Sequence, residues 1–61
     1  MRIGVDYGDG RKREIEVFPV YLGKGKLIYR SALHTNPVNK KLCFVEFDPN
    51  EDKVEVKYVE E

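Results

Sequence analysis

Arg13-Glu14-Ile15-Glu16-Val17-Phe18-Pro19-Val20-Tyr21-Leu22-Gly23-Lys24-Gly25-Lys26-Leu27-Ile28-Tyr29-Arg30-Ser31-Ala32-Leu33 is the longest apolar segment of the sequence. Its two arms are rich in β-branched and aromatic residues, and Gly23-Lys24-Gly25-Lys26 between them is a turn composition, so the segment reads as a β-hairpin. Ile15 and Val17 share one strand face, whereas Val20 and Leu22 share a face of opposite parity. One phase slip is therefore expected near Phe18-Pro19, where proline cannot donate to a ladder and a bulge would bend the strand. Loops of two or four residues both set Leu22 opposite Leu27, Val20 opposite Tyr29 and Tyr21 opposite Ile28. This register assigns Val20, Leu22, Leu27 and Tyr29 to the core. Tyr21, Ile28 and Arg30 then face water, with Lys24 and Lys26 at the tip.

Upstream, Arg2-Ile3-Gly4-Val5-Asp6-Tyr7 alternates with Ile3, Val5 and Tyr7 on one side and reads as a first strand. Gly8-Asp9-Gly10 is a tight turn, and the basic triplet Arg11-Lys12-Arg13 leads into the hairpin. Downstream, His34-Thr35-Asn36-Pro37-Val38-Asn39 breaks the pattern, and a single helical turn over Ser31–His34 is compatible with the composition. Leu42-Cys43-Phe44-Val45-Glu46-Phe47 is apolar at every position but one, which suits a central strand or an interface. Asp48-Pro49-Asn50 has the residue order of a β-turn. Lys53-Val54-Glu55-Val56-Lys57-Tyr58-Val59 alternates charged and apolar residues, as a half-exposed edge strand does.

These elements give an all-β chain: a five-stranded antiparallel meander, with at most one short helical turn, forming a single domain over residues 1–61. A sheet this short hides its apolar side best by curling, and SH3-like and OB-like barrels both fit the strand count at the level of architecture. At 61 residues the chain is near the lower limit for independent folding. Cys43 is the only cysteine, so neither an intrachain disulfide nor a zinc cluster supplements the core. No apolar run approaches the roughly 20 residues that span a membrane, and a strand-like pattern follows Met1 directly. The expectation is a cytoplasmic chain with a reduced thiol.

Chemistry finds few parts. Gly23-Lys24-Gly25-Lys26 lacks the remainder of a phosphate-binding loop, and Gly8-Asp9-Gly10 lacks the third glycine of a dinucleotide site, position 13 being arginine. Asp48, Asn50 and Asp52 match the first ligand positions of a calcium loop, but Lys53 replaces its glycine and Val59 its final glutamate. His34 is the only histidine, and Cys43 sits in an apolar strand where burial suppresses the thiolate. No catalytic residue, cofactor or metal ligand is assigned, and the chain is expected not to be an enzyme.

Net charge is zero but uneven. Residues 1–41 carry nine cationic against four acidic side chains, and residues 42–61 two against seven. Basic and aromatic residues gather around the hairpin: Arg11, Lys12 and Arg13 precede it, and Tyr21, Lys24, Lys26, Ile28 and Arg30 lie at or near its tip. These eight are the candidate partner-binding residues. The sequence points to a small non-catalytic binding module, acting by protein–protein interaction or self-association through an exposed sheet face. The alternative is single-stranded nucleic-acid binding through the hairpin over 18–30, with rings stacking on bases and cations tracking phosphates.

Overall fold

The computed structural model describes residues 1–59; Glu60 and Glu61, part of the acidic excess above, lie outside the described residues. The chain forms β1 (Arg2–Asp6), β2 (Lys12–Gly23), β3 (Lys26–Ser31), β4 (His34–Thr35), β5 (Leu42–Asp48) and β6 (Lys53–Tyr58). All pair antiparallel in one sheet, β1-β2-β3-β5, with β4 and β6 also paired to β5. No helix is present among the described residues, at Ser31–His34 or elsewhere. None is therefore long and apolar enough to cross a membrane.

Two features differ from the sequence expectation. There are six strands rather than five, because the return arm of the hairpin is interrupted. β3 meets β5 at Tyr29↔Phe47 and Arg30↔Glu46, whereas β4 meets it at His34↔Cys43 and Thr35↔Leu42, a register one residue out of step. Ala32-Leu33 absorbs that residue, and Leu33 is turned out into water. The break strands the backbone N–H of the fully buried Val45, and the Ser31 hydroxyl takes it at 2.9 Å. Second, the sheet curls without closing into a barrel: no strand pairing joins β1 to β6.

The curl comes from β2, whose twelve residues pair with β1 over Lys12–Glu16 and with β3 over Val17–Gly23. The register against β3 runs unbroken through Phe18 and Pro19; the irregularity falls between Tyr21 and Gly23, with Leu22 as the extra residue. The expected slip at the proline is thus displaced to the hairpin tip. Gly23, Lys24 and Gly25 all have positive φ there, and glycine takes that conformation without steric cost. Pro19 has another role. Val17 N–H donates to Met1 O at 2.8 Å, and backbone groups alternate sides along a strand. Pro19 therefore lies on the same edge two residues on, past the end of β1, where no donor is needed.

Residues opposite one another across a ladder share a face. On that basis Ile3, Val5, Ile15, Val17, Ser31, Cys43 and Val45 lie on one inner face, of which Val5, Val17, Cys43 and Val45 form the sealed core. The curl brings Tyr7 from the end of β1 over β4, where its hydroxyl lies 2.8 Å from His34 Nε2.

Candidate functional site

The displaced slip keeps Gly23 opposite Lys26 and moves the hairpin pairs below it by one residue. Val20 stands opposite Ile28 and Tyr21 opposite Leu27, so Tyr21 shares the inner face with Leu27 and Tyr29. Ile28 shares the outer face with Val20 and Arg30. The expected grouping of Tyr21 with Ile28 and Arg30 on one exposed side is corrected accordingly. Tyr21 is 79% exposed, whereas Ile28 is only 7% exposed, at the floor of a depression walled by Leu22, Lys26, Glu46 and Asp48.

The candidate cations divide into paired and unpaired. Arg30 donates from Nε (2.9 Å) and Nη2 (2.6 Å) to Glu46 and lies over the Phe44 ring, 5.5 Å from its centroid. Lys57 reaches the other oxygen of Glu46 at 2.9 Å. Arg13 bonds Asp9 with both Nη atoms and lies 5.9 Å from the centroid of Tyr7. Lys26 lies 3.8 Å from Asp48. Among the described residues, Arg11, Lys12 and Lys24 have no ion-pair partner. Arg11 and Lys12 stand by the β1–β2 turn and Lys24 at the hairpin tip, so the structure does not gather the cations around Tyr21.

The inner face beyond the core is the more distinctive surface. Past Val17 and Val45 it continues as Pro19, Tyr21, Leu27, Tyr29, Phe47, Val54 and Val56, none of them buried. Tyr29 and Phe47 stack with centroids 6.2 Å apart. No charged side chain of β3, β5 or β6 lies on this side: Lys26, Arg30, Glu46, Asp48, Lys53, Glu55 and Lys57 all alternate to the outer face. Tyr29, Phe47, Val54 and Val56 were not among the sequence candidates. Their signal was the strict alternation of Lys53–Tyr58, which marks one apolar side without showing what covers it.

At the closed end, His34 Nδ1 lies 2.9 Å from Ala32 O, a pure acceptor, so Nδ1 carries the proton and Nε2 accepts from Tyr7. Cys43 Sγ is 3.6 Å from the same Nε2. Burial pushes the Cys43 thiol up, and burial with the nearby Cys43 raises Tyr7 against the lowering effect of Arg13. A thiol held protonated at a position with no solvent access is a poor nucleophile. The trio ties the ends of the curl together.

Glu46 sets an acid limit on stability. Burial alone would raise its carboxyl, but hydrogen bonds from Lys57 and Arg30 outweigh that and hold it below the usual range. A carboxylate depressed in the folded state stabilises above its unfolded pKa of about 4.3, and that contribution fades as pH falls through the folded value. Urea denaturation from pH 7 to pH 2 is expected to show stability declining below about pH 4.5. Glu46→Gln is expected to cost about 1 kcal/mol at neutral pH and to flatten the acid decline, because the released Arg30 and Lys57 rehydrate. An unchanged acid slope in Glu46→Gln would assign the decline to Asp9 and Glu16, which are also depressed.

Comparison with protein-family models, with curated proteins and with solved structures gives no match in any of the three.

Proposed function

We propose that the chain is a non-catalytic binding module that docks an uncharged, apolar segment of a protein partner on the open end of its inner face. One observation carries the reading: a charge-free aromatic and aliphatic surface continues from the core to Tyr21 and Val54, exposed at 79% and 40%. Contiguous apolar surface of this kind on a small domain marks interaction sites. Stacked Tyr29 and Phe47 supply rigid contact area at low entropic cost, and Tyr21 supplies an anchor that partner side chains can pack against. A charged ligand would lose hydration here without meeting a counter-charge, so the partner segment is expected to carry aliphatic or aromatic side chains. The reading needs no cofactor, and a reducing, cytoplasmic setting suits its lone buried thiol.

The test is a displayed library of random peptides panned against the whole chain. Selected peptides should be apolar and aromatic, and should bind at least about tenfold more weakly to Tyr21→Lys and Val54→Lys, both exposed positions that leave the core intact. Recovery of acidic peptides, or equal binding by both variants, overturns the reading. Short oligothymidylate at low ionic strength is the counter-probe. Strong, salt-sensitive binding there would return the function to Lys24 and the hairpin.

A further inference from the structure

Val59 N–H donates to Leu42 O at 3.2 Å. Since backbone groups alternate sides along an antiparallel strand, Lys53, Glu55 and Lys57 bond inward to β5. Val54, Val56 and Tyr58 then turn their N–H and C=O groups to the outer edge of β6, which pairs with no strand among the described residues. Such an edge templates another strand unless its side chains forbid it. We propose that the occupant is β6 of a second copy of this chain, antiparallel, with Val56 opposite Val56 across a two-fold axis.

The side chains select this register among those that parity allows, which centre on a single residue of the strand; centring on Lys57, for one, would set Lys57 opposite Lys57. Centring on Glu55 would set Lys53 opposite Lys57 and Glu55 opposite Glu55, like charges directly apposed. Centring on Val54 would require Asp52, at φ 52° in the turn, to extend the strand. Centring on Val56 places Glu55 opposite Lys57 twice, and Val54 opposite Tyr58 twice. It gives opposite-charge pairs on the outer face and aromatic–aliphatic pairs on the inner one. The outward N–H and C=O groups of all three residues meet, forming about six backbone hydrogen bonds. Charges that would guard the edge in a like-facing register become complementary with a shift of one residue per chain. The two apolar faces also become continuous, although the edge pairing does not depend on what docks there.

Sedimentation equilibrium of the whole chain, from micromolar to millimolar, tests the pairing. The wild type is expected to dimerise. Val56→Pro removes an outward donor while sparing the bonds to β5, and should weaken the dimer by at least about tenfold. Glu55→Lys should weaken it similarly, as should Lys57→Glu. A one-to-one mixture of those two should dimerise again, since every pair between positions 55 and 57 then joins opposite charges. Circular dichroism establishes that each variant is folded; if Lys57→Glu fails to fold for loss of its bond to Glu46, Val56→Pro and Glu55→Lys still decide. A wild type monomeric at millimolar concentration overturns the proposal. So does a dimer indifferent to Val56→Pro, or one lost only on Tyr21→Lys, which would put the contact on the face instead.

Discussion

Asn36→Ala is expected to remove about 3 kcal/mol of stability, a large part of the roughly 3–9 kcal/mol available to a chain of this length. Asn36 is fully buried, yet every polar atom of its side chain is used. Its Oδ1 accepts from the N–H of Val38 at 2.8 Å and of Asn39 at 3.4 Å, and its Nδ2 donates to the Tyr58 hydroxyl at 3.0 Å. Its own backbone receives Lys40 N–H and donates to Lys41 O, closing the turn that returns the chain to β5. Alanine keeps those backbone bonds but leaves the loop's N–H groups without an acceptor and opens a void. The melting temperature followed by circular dichroism should fall by roughly 10–20 °C. Tyr58→Phe should cost about half as much, because Asn39, the other donor to that hydroxyl, is exposed and can turn to water. The double variant should cost less than the sum, since both changes break one shared bond. A loss below about 1 kcal/mol for Asn36→Ala would mean that water replaces the amide and that the site is not sealed.

The importance of Asn36 was hidden in the sequence, where Asn36-Pro37 reads only as the start of a turn. Its partner Tyr58 lies twenty-two residues on, and nothing local couples them. By contrast, elements governed by neighbouring residues were legible. The Asp48 carboxylate accepts from Asn50 N–H at 2.9 Å, as the Asp-Pro-Asn order implies. β5 runs between β3 and β4 on one side and β6 on the other, as an almost wholly apolar strand must. The parity conflict between Val17 and Val20 was also visible, but its resolution was not. Proline and paired glycines can both accommodate an extra residue, and here Gly23 and Gly25 do so at the tip. Val20 and Ile28 consequently sit on the outer face among charges, and Ile28 is buried by long polar side chains rather than by the core.

The arrangement of the candidate residues was hidden for a related reason. Basic residues clustered in sequence look available, but Arg30 meets Glu46 and Arg13 meets Asp9 only once register and turn are set. Two ion pairs, Arg30 with Glu46 and Lys26 with Asp48, join the basic hairpin to β5 across the charge asymmetry between the two parts of the chain. Charge alternation on β6 was legible residue by residue, and it is the same alternation that clears charge from the inner face.

Ser31→Ala should produce the second large effect, about 2 kcal/mol, from the loss of a single oxygen. Where β3 ends and β4 begins one residue out of step, neither strand sets a carbonyl against the Val45 N–H of β5, and the Ser31 hydroxyl fills that gap while donating to Ala32 O at 3.0 Å. Valine at position 45 is fully buried, so no water can take over. Methyl for hydroxymethyl changes little volume; the cost is therefore that of an orphaned buried donor rather than of a cavity. Hydrogen exchange separates these causes. In Ser31→Ala the Val45 amide should lose protection by more than the global destabilisation accounts for, while the Glu55 and Phe47 amides, both bonded within the sheet, follow the global value. Ser31→Thr keeps the oxygen and should recover most of the loss. A Ser31→Ala chain that melts like the wild type, with Val45 still protected, would mean that a carbonyl from Ala32 or Leu33 has swung in. The interruption that makes six strands out of five would then be one that a single hydroxyl sustains.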